Sequence, residues 1–230
     1  MKIERKVVRC SGCTSLENMI LSRLPEKDLS YVESYKVSNI YTRGQIIFSC
    51  GQQPLGIFCM EIGLVKIYKV SDEGKEIVVR LSKGGELLGY RSFLAGEPYR
   101  AFAEAIEDSR ICFIDGKAFW EVLKRNPEVS FVLIKKMAKE LGDAEDKLKS
   151  LALKPVEARV AEHILLNKNS RRAKLPFNLT TLAQILGTTP ESVSRSLSHL
   201  RKMGAIRKEG ATSIVIINEN RLLELAGLTD

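Results

Sequence analysis

The 230-residue chain predicts an α+β protein: an antiparallel β roll or barrel in the first half, a long central helix, and a winged helix-turn-helix at the carboxyl end. Three observations carry this. Short β-branched or aromatic runs punctuated by glycine fill the first 114 residues, apolar residues recur at intervals of 4, 3, 4 and 3 between Met137 and Leu151, and two short amphipathic helical patterns flank Gly187.

The roll comes first in the chain. Residues 46–48, 55–61, 64–70, 77–81 and 109–114 have strand composition, separated by Gly51, Gly63, the Asp72 to Gly74 segment and the Gly84-Gly85 pair. Several short strands with such breaks build an antiparallel roll or barrel. A short helix is expected near residues 117–124.

The central helix spans about residues 127–152. Met137, Leu141, Ala144, Leu148 and Leu151 form the seam that two paired helices share, which makes them the predicted dimer interface. Gly142, Asp143 and Asp146 weaken its middle, since glycine costs about 1 kcal/mol in a helix interior and carboxylates repel one another. Packing of the stripe on its own roll is the other outcome the spacing allows.

The carboxyl-terminal unit carries the strongest local signals. Asn178 is suited to cap a helix over residues 179–186, with Leu182, Ile185 and Leu186 facing inward. Thr189 caps a second helix over residues 190–203, Pro190 takes the first helical position, and Gly204 supplies a left-handed residue past the end. Along that helix Val193, Leu197, Leu200 and Met203 make an apolar stripe, whereas Glu191, Ser194, Arg195 and Ser198 recur on another face. A hairpin follows, with Ile206 before the Glu209-Gly210 turn and a β-branched run over residues 214–217 after it. The second face has the chemistry of a major-groove reader: arginine pairs bidentately with guanine, glutamate accepts from cytosine, and serine tolerates close approach to thymine. In helix-turn-helix proteins the amino-terminal part of the second helix touches the bases, where Glu191, Ser194 and Arg195 stand.

Charge supports a nucleic-acid partner. The formal net charge is +8, and from residue 154 onward 12 Lys+Arg stand against 7 Asp+Glu, compared with 24 against 21 before it. Arg201, Lys202 and Lys208, with Ser192, Ser198 and His199, are candidate phosphate contacts, which position a protein without specifying sequence. Double-stranded DNA and a second copy of the chain are the expected partners, with no membrane. No run of 18 apolar residues and no apolar leader occurs, so a cytoplasmic location is expected. The two histidines, His163 and His199, lie in the last third, which leaves the roll without a histidine ligand for haem. No nucleophile-histidine constellation or phosphate-binding loop is present, so the chain is not expected to be an enzyme and has no catalytic residues to assign. Five cysteines at irregular spacing include one CxxC, Cys10 and Cys13, a pattern consistent with zinc, a reversible disulfide or packing.

Over nearly its whole length the chain resembles the CRP/FNR family of bacterial transcription regulators. TPESVSRSLSHLRKMG is similar to the family's recognition helix, and RGQIIFSCGQQPLGIFCMEIGLVKIYK to the start of its roll. The resemblance implies a cyclic-nucleotide-binding-like jelly-roll sensor domain over residues 1–125, a dimerisation helix over 126–153 and the winged helix-turn-helix over 154–230. It places Glu191, Ser194 and Arg195 on the base-reading positions of the FNR branch, implying a palindromic operator with half-sites resembling TTGA, and it makes RNA polymerase an expected partner. Pro190 stands where the cAMP-binding branch has a further arginine, and Leu179 and Thr180 where polar or charged residues are usual.

The resemblance leaves the signal open between two cofactors, with none as the default. GGELLGYRSFLAGEPYRA is similar to the cyclic-nucleotide cassette, with Gly85 and Glu86 in place. Tyr99 falls on its arginine position and Arg100 on its serine position, so Gly85, Glu86, Arg91, Tyr99 and Arg100 form the candidate effector pocket. The other reading has Glu86 capping a turn and both arginines solvated. Cys10, Cys13 and Cys112 fall on ligand positions of the FNR-branch iron-sulfur cluster, while Met19 occupies a further one, so Cys50 or Cys59 would have to substitute. The alternative functional class is a cyclic-nucleotide or redox and metal sensor acting mainly through protein contacts, with weak DNA binding.

Overall fold

The structure, a computed structural model, describes residues 9–18, 20–175, 178–210 and 213–228. It divides into two compact units, one made of the residues up to Lys75 and of Val79–Leu141, the other of Glu76–Val78 and the residues from Gly142 on.

The first unit begins with short 3-10 turns, among them Cys10–Gly12 and Ile20–Arg23, and with α1 (Glu26–Ser34). Then come β1 (Lys36–Tyr41), β2 (Ile46–Phe48), β3 (Gly56–Ile62), β4 (Leu64–Val70), β5 (Glu76–Lys83, whose first three residues are grouped with the second unit), β6 (Leu87–Leu88), α2 (Tyr90–Ala95), β7 (Phe102–Ala105), β8 (Ser109–Asp115) and α3 (Gly116–Arg125). The strands form two four-stranded sheets, β1-β8-β3-β6 and β2-β7-β4-β5. Every strand pair whose register is resolved in them is antiparallel. This is the roll that the glycine-punctuated runs predicted.

Strand alternation gives β3 and β8 two cores. Met60 and Ile111 point between the sheets with Phe48, Val65, Ile67, Leu88 and Tyr99. Ile57, Cys59, Cys112 and Ile114 point the other way, into a core with Leu21, Val32, Phe119, Val122 and the buried start of the long helix. Gly56 is forced by packing, because a Cβ there would lie 2.1 Å from the Ile114 carbonyl oxygen. β1 and β7 were not expected from sequence. KVSNIY interrupts Val37, Ile40 and Tyr41 with Ser38 and Asn39, and FAEA is short with two alanines and a glutamate; both are fixed as strands by pairing, β1 with β8 and β7 with β4.

α4 (Pro127–Leu153) is one continuous helix. The division between units falls inside it, at Leu141/Gly142, not at either end. The reason is that Val129 and Leu133 are buried in the roll core, whereas Ser150 donates to Glu162 of the second unit.

The second unit contains α5 (Val156–Leu166), β9 (Lys168–Asn169), β10 (Arg172–Lys174), α6 (Leu179–Leu186), α7 (Pro190–Lys202), β11 (Ile206–Glu209), β12 (Ser213–Ile216) and α8 (Glu219–Ala226). The sheet order is β11-β12-β10-β9, and its strands pair antiparallel. The core joins Val160, Ile164, Leu182, Leu186, Val193, Leu200, Ile206, Ile214 and Leu222. α5, α8 and the β9-β10 hairpin are additions to the sequence expectation. No described helix is long and apolar enough to cross a membrane.

Candidate nucleic-acid interface

The reading helix is positioned by its ends. Asn178 Oδ1 accepts from the Thr181 amide at 2.8 Å and opens α6, and Gly187, at φ +60°, closes it. Only a residue without a Cβ adopts that left-handed conformation readily, so the chain turns within two residues into α7. There Thr189 Oγ1 accepts from the Ser192 amide at 3.3 Å, with Pro190 in the first turn. At the far end the Arg221 guanidinium donates to the Met203 carbonyl at 3.0 Å.

Between these caps the two faces separate as the spacing requires. Val193 and Leu200 are buried, and Leu197 is half-buried against the same core. Ser196, absent from the expected stripe, is buried too, and its hydroxyl donates back to the Ser192 carbonyl at 3.0 Å. Glu191, Ser194 and Arg195 are all exposed on the opposite face. Arg195 Nη2 donates to Ser192 Oγ at 3.2 Å, which ties the guanidinium to the helix's first turn. The backbone N–H of Glu191 and the Thr189 hydroxyl hold the Glu191 carboxyl below its usual value, and Arg195 adds to this. Glu191 is therefore an anionic acceptor at neutral pH, as reading of cytosine N4 requires.

Of the candidate phosphate contacts, Arg201, Lys202 and Lys208 are exposed, while Ser192 and Ser198 are half-buried. His199 is already engaged by Glu157 of α5, a partner that lies 42 residues away and that local pattern does not reveal. Arg172 reaches Glu209 at 3.4 Å, linking β10 to the wing strand β11.

The seam residues of α4 lie mostly in the open. Phe131, Ile134, Leu141 and Leu148 are 64, 59, 61 and 67% exposed, and Met137 and Ala144 are exposed as well. Ile134, three residues before Met137, extends the predicted stripe upstream, and Phe131 is an exposed apolar neighbour three residues before it. Leu151 is half-buried, and its side chain packs at the Gly187 turn, where a Cβ would meet it at 2.8 Å.

The candidate effector residues do not converge. Tyr99 is buried between the sheets, its ring stacked on Phe48 at 4.0 Å, and burial pushes its phenol up to about 12. Arg100 is exposed and pairs with Glu97 at 3.1 Å, and Arg91 is exposed beside Ser92. Gly85 and Glu86 line a different cavity of about 460 Å³ with Glu17, Arg23, Lys83 and Lys136.

The cysteines do converge. Cys10, Cys13, Cys59 and Cys112 line one small cavity with Lys36 and Glu61, while Cys50 is exposed elsewhere. Cys59 and Cys112 face each other across the β3-β8 ladder. Burial raises the thiol pKa of Cys13, Cys59 and Cys112. Met19 lies outside the described residues. The cavity measures about 20 Å³, room for a water-sized body. Among the described residues no three cysteine, histidine or carboxylate side chains stand placed to hold a metal ion, so the residues as arranged here do not fit the implied iron-sulfur cluster.

Comparison with known proteins agrees with the architecture. Residues 39–126 match the cyclic nucleotide-binding domain family, and residues 158–225 match the Crp-like helix-turn-helix domain family. The fumarate and nitrate reduction regulatory protein of Escherichia coli is 26% identical, the match covering 96% of this chain and 92% of that protein. The protein of the same name from Vibrio cholerae is 25% identical over the same shares. Among solved structures, FixK2 from Bradyrhizobium japonicum superimposes with a TM-score of 0.74 at 27% identity, covering 83% of this chain and 96% of that one. With a matching roll, a matching reading unit and relatives that are regulators along almost the full length, the chain belongs to the CRP/FNR family of transcription regulators and carries a helix-turn-helix DNA-binding domain.

Proposed function

We propose that the protein acts as a homodimer that binds a palindromic operator with TTGA-type half-sites, under control of an input to its amino-terminal unit. The observation that carries this is the exposed trio Glu191, Ser194 and Arg195 on the outer face of a helix capped at both ends. The trio offers a bidentate donor for guanine, an acceptor for cytosine and a short side chain for thymine. The open apolar stripe of α4 supports the dimer, because a row of large apolar residues in water is stabilised by covering it with a second copy. A two-fold pair sets two reading helices about 34–36 Å apart, one turn of DNA.

The test is competition binding at several salt concentrations. A TTGA-type palindrome should displace a labelled operator at concentrations where random duplex does not, with affinity falling as salt rises. Equal competition by both duplexes would remove the operator reading and favour a sensor that works through protein contacts.

A further inference from the structure

A groove in the second unit has an apolar floor beneath a cationic rim. It encloses about 290 Å³ between the start of α6, one side of α7 and the wing strands β11 and β12. Leu182, Leu197, Ile206 and Ile214 form the floor, and Leu179, 43% exposed in the first turn of α6, forms the lip. That volume lies at the small end of the range of about 300–1,000 Å³ typical of clefts that hold organic ligands. The walls are fixed independently of any occupant. Asn178 caps α6, Leu182, Ile206 and Ile214 belong to the buried core, and β11 pairs with β12 through Lys208 and Ile214.

The rim is of one sign. Arg201 and Lys208 both line the groove and are exposed, and among the described residues no carboxylate pairs with either. None of the described residues that line the groove is acidic. A bare phosphate would satisfy the two cations and leave the floor in water, whereas an uncharged hydrocarbon would do the reverse. An anionic head on an apolar tail satisfies both.

We propose that this groove binds an amphipathic carboxylate, a fatty acid whose tail the volume limits to medium length. The tail lies on Leu182, Leu197 and Ile214, where each buried methylene raises affinity about fourfold. The carboxylate accepts charge-assisted hydrogen bonds from Arg201 and Lys208. Ser194 and Ser198 stand on the α7 side of the same groove, so the bound acid takes space beside the reading face and draws on cations that phosphates would use. Acid and operator therefore compete. The competition rests on the proposed reading face of α7, but binding of the acid does not.

The probes are acetate, hexanoate, octanoate and decanoate, titrated into the full-length chain and followed by calorimetry without DNA. The expected result is one acid per chain, no heat from acetate, and affinity rising about fourfold with each added methylene until the tail fills the groove. Octanol and octyltrimethylammonium, which keep the tail and remove or invert the charge of the head, should bind about tenfold more weakly than octanoate or worse. R201Q and K208Q should each weaken octanoate about tenfold, as loss of one charge-assisted hydrogen bond does. S213F fills the groove from β12 and should abolish binding. Because a phenylalanine there can disturb the wing, L179D is measured alongside: a carboxylate in the first turn of a helix favours the helix, so this variant should keep its circular dichroism and still lose octanoate by repulsion at the lip. In a gel-shift titration octanoate should raise the wild-type concentration needed to bind the operator, in proportion to its occupancy. The proposal is overturned by absence of octanoate binding in the wild type, by octanol binding as tightly as octanoate, or by unaltered binding in folded S213F and L179D. Binding that leaves operator affinity unchanged overturns the competition. The calorimetry involves no DNA, so its failure leaves the operator reading intact, and the reverse holds.

Discussion

On the proposed reading, Arg195 is the residue on which specificity turns. Its guanidinium is exposed, linked to Ser192 and flanked by Ser194 and Glu191, so R195A removes a donor pair without disturbing the buried side of α7. The variant should lose about 1–3 kcal/mol of operator affinity and relax preference at one guanine, as read by binding to a set of single-base operator substitutions. Equal weakening on every duplex would instead make it a phosphate contact. His163 offers a test of stability. Burial, with Lys147 adding and Glu162 opposing, lowers its pKa to about 4, so the folded chain holds it neutral at pH values where an unfolded histidine, titrating near 6.5, is charged. The unfolded state then binds more protons, and stability should fall as pH drops from about 6.5 toward 4. Denaturant titrations of H163Q should show a shallower decline over that window.

At the scale of the element, α4 is held on the roll by a small polar group. Glu140 accepts from Tyr90, pairs with Arg80 at 2.6 Å and meets Lys136 at 3.0 Å. Burial pulls its carboxyl upward, but Arg80, the Tyr90 hydroxyl and Lys136 together outweigh that and hold it below the ordinary value. This stabilisation is present at neutral pH and is lost as acid protonates the carboxylate. E140Q should cost about 1–3 kcal/mol in thermal unfolding, since Arg80 is left half-buried without its counter-charge. The open side of the same helix behaves differently. L148D changes a side chain that is 67% exposed, so the single chain should keep its circular dichroism and fold. In sedimentation it should run as a monomer, because a carboxylate in the middle of a paired seam is buried without a partner. A wild-type chain that is already monomeric at the same concentration would reject the seam.

For the whole molecule, the proposed dimer makes the spacing of its two reading helices the decisive quantity. An operator with five base pairs inserted between its half-sites turns one of them to the far side of the duplex, and should bind little better than a single half-site.

How much of this was legible in residues follows from where each signal resides. The capped helices of the reading unit were readable because Asn178, Thr189, Pro190, Gly187 and Gly204 act on backbone groups within a few positions of themselves. The exposed trio was readable for the same reason, since helical spacing sets which side chains share a face. β1 and β7 were not, because their strand character comes from partners dozens of residues away. Ser196, Glu157 as the partner of His199, and the Tyr90-Glu140 contact were hidden likewise. Local composition thus settled the fold class, the capped helices α6 and α7 and the exposed apolar stripe of α4. Long-range folding settled the rest: that Tyr99 fills the interior of the roll, that Arg100 faces solvent, and that Cys59 and Glu61 join Cys10, Cys13 and Cys112 around one cavity. The physical reason is that caps and periodicity act through neighbouring peptide groups, whereas burial and convergence depend on strand register, which distant segments set when they pair.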